Sequence, residues 1–108
     1  MRDVSLQQVE QLVKVLVFLT PRQRTFFVRT MNKEQMHVFE VACFNLVANH
    51  RGLSKKQVAI LKKYKRKVEV IASKNYSLTD KRKTAQKRGF VGALLPILGT
   101  VLTSFLTK

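Results

Sequence analysis

Apolar residues recur at helical spacing through the first half of the chain. Val9, Leu12, Val13, Leu16 and Leu19 mark one face of a helix near 5–19, and Phe26, Phe27 and Met31 belong to a second near 21–31. Met36, Phe39, Ala42, Cys43, Leu46 and Val47 form the stripe of a third near 33–50. Val38, Val41 and Phe44 fill the neighbouring faces of that third helix, so it is apolar almost all round. Such a helix belongs in the middle of a packed unit, or meets a second copy of the chain. A fourth helix near 54–73 has two faces. Val58, Leu61, Tyr64, Val68, Ile71 and Ala72 fall on one side, and Lys55, Lys56, Lys62, Lys63, Arg66, Lys67 and Lys74 mostly on the other. Lys65 falls nearer the apolar side, where its stem can snorkel.

Helix starts are marked with unusual regularity. Ser5 with Gln8, Thr20 with Gln23, and Ser54 with Gln57 each have the spacing of a capping box, and Asn32 with Gln35 resembles a further one. Pro21 follows its cap at the first helical position, where a missing N–H costs nothing. Ser77 opens a fifth helix near 77–88, with Asp80 close to the positive end of the helix dipole. Gly52 and Gly89 stand where helices should stop. No strand or hairpin pattern appears. The fold class expected is all-α: a small helical bundle over 1–53, a basic helical segment over 54–89 and an apolar C-terminal tail over 90–108.

Charge sharpens this division. Of the 108 residues, 21 are Lys or Arg and 6 are Asp or Glu, a formal charge of +15. Residues 1–50 hold six basic and four acidic side chains, residues 51–89 fourteen and two, and residues 90–108 only Lys108. A balance of +12 over 39 residues is strongly self-repelling without counter-anions. It points to a polyanionic partner, nucleic acid or an anionic membrane. An apolar share of 45% separates the chain from disordered polycations.

Catalytic parts are scarce. His37, Cys43 and His50 share one expected helix at spacings of six and seven, which do not bring metal ligands onto one face. Cys43, the single cysteine, lies in an apolar stripe and reads as a buried thiol. The six carboxylates are scattered, and no phosphate-binding loop, glycine-rich nucleotide pattern or nucleophile elbow occurs. The expectation is a non-enzyme without cofactor or metal.

The binding residues expected for nucleic acid are Lys55, Lys56, Lys62, Lys63, Lys65, Arg66 and Lys67 on the fourth helix, then Lys81, Arg82, Lys83, Lys87 and Arg88. Lys and Arg neutralise phosphates and release condensed counterions. Asn and Gln, which read base edges, are scarce here, so the mode expected is sequence-independent backbone contact. Tyr64 and Tyr76 are candidates for base stacking or for half-buried core positions.

Residues 90–107 carry no charge. As a helix they would extend about 27 Å, just short of a bilayer core of about 30 Å. Pro96, Gly92 and Gly99 weaken such a helix. A membrane anchor, a membrane-disrupting segment and a helix folded back on the bundle all fit. In the membrane alternative, the contacts would be Phe90, Val91, Leu94, Leu95, Ile97, Leu98, Val101, Leu102, Phe105 and Leu106, with the cations at 81–88 among anionic headgroups.

The order of parts resembles a known pattern. Leu53-Ser54-Lys55-Lys56-Gln57 opens a basic helix, and Ser77-Leu78-Thr79-Asp80-Lys81-Arg82-Lys83 follows as a second basic turn. Lys87-Arg88-Gly89 then leads into the apolar run Phe90 to Leu98. This looks like the small basic proteins of Polinton (Maverick) elements and adintoviruses. The last part also resembles the precursor of the adenoviral core protein X, or mu. The resemblance covers roughly residues 45–105. Those proteins often place two adjacent glycines before the apolar tail, where this chain has Gly89-Phe90-Val91-Gly92, and the adenoviral one is richer in arginine. The resemblance implies a virion component associated with packaged DNA, in the virion and host nucleus, with capsid proteins as further partners. Two rival readings are a membrane-associated protein on the cytosolic side and a homo-oligomeric scaffold. No secretory signal is evident at the N-terminus.

Overall fold

The computed structural model describes residues 4–48, 52–87 and 89–106, with side chains as far as Leu102. Seven helices are formed among them: α1 (Leu6–Phe18), α2 (Pro21–Arg29), α3 (Lys33–Ala48), α4 (Lys55–Lys63), α5 (Lys65–Ala72), α6 (Leu78–Ala85) and α7 (Phe90–Leu106). No strand is present among the described residues, so the chain is all-α.

The starts follow from the caps. Gln8 N–H donates to Ser5 Oγ at 3.1 Å while Ser5 N–H donates to Gln8 Oε1 at 2.7 Å. The same exchange joins Thr20 with Gln23, Asn32 with Gln35, and Ser54 with Gln57. Ser77 Oγ accepts from Asp80 N–H at 3.1 Å. Gly52 and Gly89 have φ of 80° and 79°, the left-handed region in which a Cβ is strained, so a glycine belongs at each of these stops.

The core lies where α3 and α7 meet the other helices. α3 packs against α1, α5, α6 and α7, which accounts for an almost fully apolar surface. Phe39, Cys43 and Leu46 are completely buried, and of the large apolar side chains of α3 only Phe44 and Val47 are exposed. α7 packs against α1, α3 and α4. Its Phe90, Leu94 and Ile97 are fully enclosed, and Val91, Leu95, Leu98, Val101 and Leu102 are buried around them. One hydrophobic cluster thus takes residues from all three compositional segments. The helix continues through Pro96, whose exposed ring faces away from the core. The carbonyl of Gly92, left without the amide of residue 96, is on the solvent side as well. Gln57 also joins α4 to α7: its Oε1 serves the cap, and its Nε2 donates to Thr100 Oγ1 at 2.9 Å.

Two expectations change. The helix expected over 54–73 is broken at Tyr64, which has φ −104° and ψ 13° and ends α4 while starting α5. A straight helix of 20 residues would run about 30 Å, the full 29 Å width of the molecule. The break lets α4 address α7 and α5 address α3. Phe26, expected beside Phe27 and Met31 on the inner side, is 63% exposed. Val28 takes the inward position of α2, and Phe26 lies 200° round the helix from it. The end of the third expected helix, including His50, lies outside the described residues.

Candidate nucleic-acid interface

The cations divide into those that hold the fold and those that face solvent. Lys81 belongs to the first group, which corrects its assignment as a phosphate contact. It is 3% exposed, and its Nζ lies 2.6 Å from Glu40 Oε2 on α3. The position follows from helical spacing: Leu78, Lys81 and Ala85 stand at i, i+3 and i+7 of α6, the stripe that turns toward the core. Arg82 is also engaged. Its Nε donates to the Met31 carbonyl at 2.8 Å, and its Nη2 donates to the same oxygen. Arg24 does the same for α1, donating from Nε to the Leu16 carbonyl at 2.6 Å. That carbonyl is orphaned because the amide four residues on, Thr20 N–H, is taken by Gln23. Gly92 leaves room for this arginine, since a Cβ there would stand 3.3 Å from its Nη1.

Glu40 connects the remaining polar groups of the interior. Its Oε1 lies 3.2 Å from His37 Nδ1, and its other oxygen meets Lys81. Burial pushes the Cys43 thiol far above its ordinary range. The Glu40 carboxylate pushes in the same direction, and the Lys81 ammonium opposes it. A thiol that is neither ionised nor exposed is unreactive. Cys43 is therefore expected to be alkylated by iodoacetamide more than about a hundredfold slower than a free thiol at pH 8, through local opening alone. Mass spectrometry over a time course, repeated in denaturant, measures this. Full-rate modification of the native protein would contradict the burial.

The second group forms the candidate interface. Lys55, Lys56, Lys62, Lys63, Lys65 and Arg66 are exposed on α4 and α5, and Lys67 is half-buried. Glu69 is the one carboxylate between residues 55 and 72. Lys62 and Lys63 also sit in the last turn of α4, where the helix dipole favours cations. At the corner between the helices, Lys63 and Lys67 lie over the Tyr64 ring, at 5.5 and 5.7 Å from its centre. The ring packs on Phe90 with centroids 5.8 Å apart. Tyr64 is therefore a half-buried spacer that holds two ammonium groups outward, not an open stacking platform. Tyr76 is 47% exposed. Lys65 stands at the lip of an apolar groove with Val47, Val58, Leu61 and Val68, which is where a snorkelling stem would lie.

Lys83 and Lys87 are exposed, and Arg88 lies outside the described residues. Of the apolar side chains assigned to membrane contact, the eight from Phe90 to Leu102 are buried in the core. Those of Phe105 and Leu106 lie outside the described ones. Lipid could meet the buried eight only after α7 left the bundle. Among the described residues, no helix is long and apolar enough to cross a membrane.

Comparison with family models, curated proteins and solved structures gives no match to this chain.

The candidate site also includes residues that the charge map passed over. Arg22 and Arg29 belong to the near-neutral first half, yet α2 lies against α6. Both line the same cleft as Lys87. Gly89, in that lining, is adjacent to the Tyr64 corner: the tyrosine hydroxyl is 3.5 Å from where a Cβ of residue 89 would be. The signal in the sequence was the spacing Arg22-Phe26-Arg29, a cation–aromatic–cation stripe on one helical face.

Proposed function

We propose that this chain is a non-catalytic, sequence-independent nucleic-acid-binding protein that condenses or bridges DNA in a virus-like particle. The observation that carries this reading is the face of α4 and α5. Six exposed cations and one half-buried cation project from two short helices whose opposite side is fixed in the core. A rigid cationic surface with one carboxylate suits phosphates and offers little to read bases with. The virus-like setting, with capsid proteins as further partners and the virion and host nucleus as location, rests on the resemblance over residues 45–105.

The test replaces Lys62, Lys63, Arg66 and Lys67 together by Gln. These side chains lie outside the core, so the helical circular dichroism and the melting temperature should hold. The slope of log affinity for duplex DNA against log salt should become shallower by about 3 to 4, at about 0.9 for each phosphate no longer neutralised. The change should be the same on two unrelated sequences. An unaltered slope would remove α4 and α5 from the interface. Co-sedimentation with anionic vesicles, with duplex DNA as competitor, separates the lipid reading. Retention on vesicles at high salt would replace the DNA assignment with a membrane one.

A further inference from the structure

Arg22, Phe26 and Arg29 stand at i, i+4 and i+7 of α2, on one stripe of that helix. They form one wall of a cleft of about 650 Å³, and Gln86, Lys87 and Gly89 lie across from them. Val28, Ala85 and Val91, all buried, form an apolar floor. Arg22, Arg24, Arg29 and Lys87 are the charged residues of the lining, and no carboxylate is among them. Arg24 is committed through Nε to the Leu16 carbonyl. Arg22, Arg29 and Lys87 are exposed and face no such demand.

This cleft differs from the α4–α5 face in combining an exposed aromatic ring and an apolar floor with its cations. A bare anion would use the charges alone. A nucleotide uses both, since every base has an apolar face that stacks on an aromatic ring, and every phosphate suits an arginine fork. Bases within a duplex are stacked on one another and do not reach such a site, whereas a single strand presents them. We propose that this cleft binds one nucleotide unit of a single-stranded nucleic acid. The base lies on Phe26 and the apolar floor, and the phosphate lies among Arg22, Arg29 and Lys87. The site is separate from the duplex contacts of α4 and α5, so either can fail without the other.

The test is fluorescence anisotropy of a labelled eight-residue oligo(dT) with the full chain. Phe26→Ala and Arg22→Gln/Arg29→Gln alter exposed positions, so both variants should keep the native melting curve. Phe26→Ala should weaken oligo(dT) binding by about five- to 150-fold, the range for one stacked base. Its affinity for duplex DNA should stay within about twofold, as every phosphate-binding cation is still in place. On the native chain, thymidine monophosphate should displace the oligomer at lower concentration than inorganic phosphate. In Phe26→Ala that advantage should vanish. Unchanged oligo(dT) affinity in Phe26→Ala would overturn the proposal. So would equal displacement by phosphate and nucleotide on the native chain, which would leave an anion site alone. A change in sedimentation of Phe26→Ala without a change in binding would also overturn it, assigning the ring to contact between copies of the chain. If the native chain bound oligo(dT) but not duplex DNA, the α4–α5 reading would fail and this one would stand.

Discussion

Raising salt from 50 to 200 mM is expected to weaken binding to duplex DNA about ten-thousandfold. If about eight phosphates are neutralised, log affinity falls with log salt at a slope near −7, and a fourfold rise in salt then removes about four decades. The seven cations of α4 and α5, with Lys83 on α6, are enough to supply eight contacts. Lys81 and Arg82 should contribute nothing to that slope, because one is enclosed against Glu40 and the other holds the Met31 carbonyl. Titrating the protein with labelled duplex at five salt concentrations gives the slope directly. A slope shallower than about −3 would mean that fewer than four phosphates are touched. The exposed lysines would then be a solvated surface and not an interface.

Replacing Glu40 by Leu is expected to cost about 3 kcal/mol of folding stability, the lower end for breaking a buried ion pair. The lower end applies because the Glu40 side chain keeps 25% exposure, whereas that of Lys81 has 4%. The loss comes less from the missing attraction than from leaving an ammonium enclosed with no acceptor. His37 loses its Nδ1 partner as well. For a domain of this length the melting temperature should fall by more than about 10 °C. Glu40→Leu/Lys81→Met, which removes both charges, should recover most of the loss, as buried pairs are often replaceable by apolar residues of similar volume. Thermal melts of the two single variants and the double variant complete the cycle. If Glu40→Leu costs under about 1 kcal/mol, Lys81 reaches water and α6 is more loosely seated than its geometry indicates.

The helix starts were legible because a cap is a local device. Ser5, Thr20, Asn32 and Ser54 with their glutamines need no distant residue to work, and all four exchanges form. The face of α4 and α5 was legible for a similar reason, since five cations between residues 62 and 67 cannot be buried together. The roles of individual cations were less so. Lys81 lies in the basic run Lys81-Arg82-Lys83, and its charge suggested solvent. Its place between Leu78 and Ala85 on the inward stripe decided otherwise, given a carboxylate on α3 at the right height. That match spans 41 residues of chain and has no local trace. The apolar tail presented the same difficulty. Its composition suited a bilayer and a protein interior equally, and the difference lies in whether α1, α3 and α4 offer a complementary face. Phe26 was misplaced because α2 is only nine residues long, too short for periodicity to choose between Phe26 and Val28.

The pairing of α1 with α7 joins the beginning of the described chain to its last helix. The ribosome makes this partner of α1 after the six other described helices. Until α7 has left the exit tunnel, α1 and α3 hold an open apolar side, and the lysine-rich stretch has already emerged. The core therefore closes only once α7 is clear of the ribosome, whatever the early helices do on the way. Through that interval the nascent chain is strongly cationic, which keeps neighbouring copies on one polysome apart while their unfinished cores are exposed.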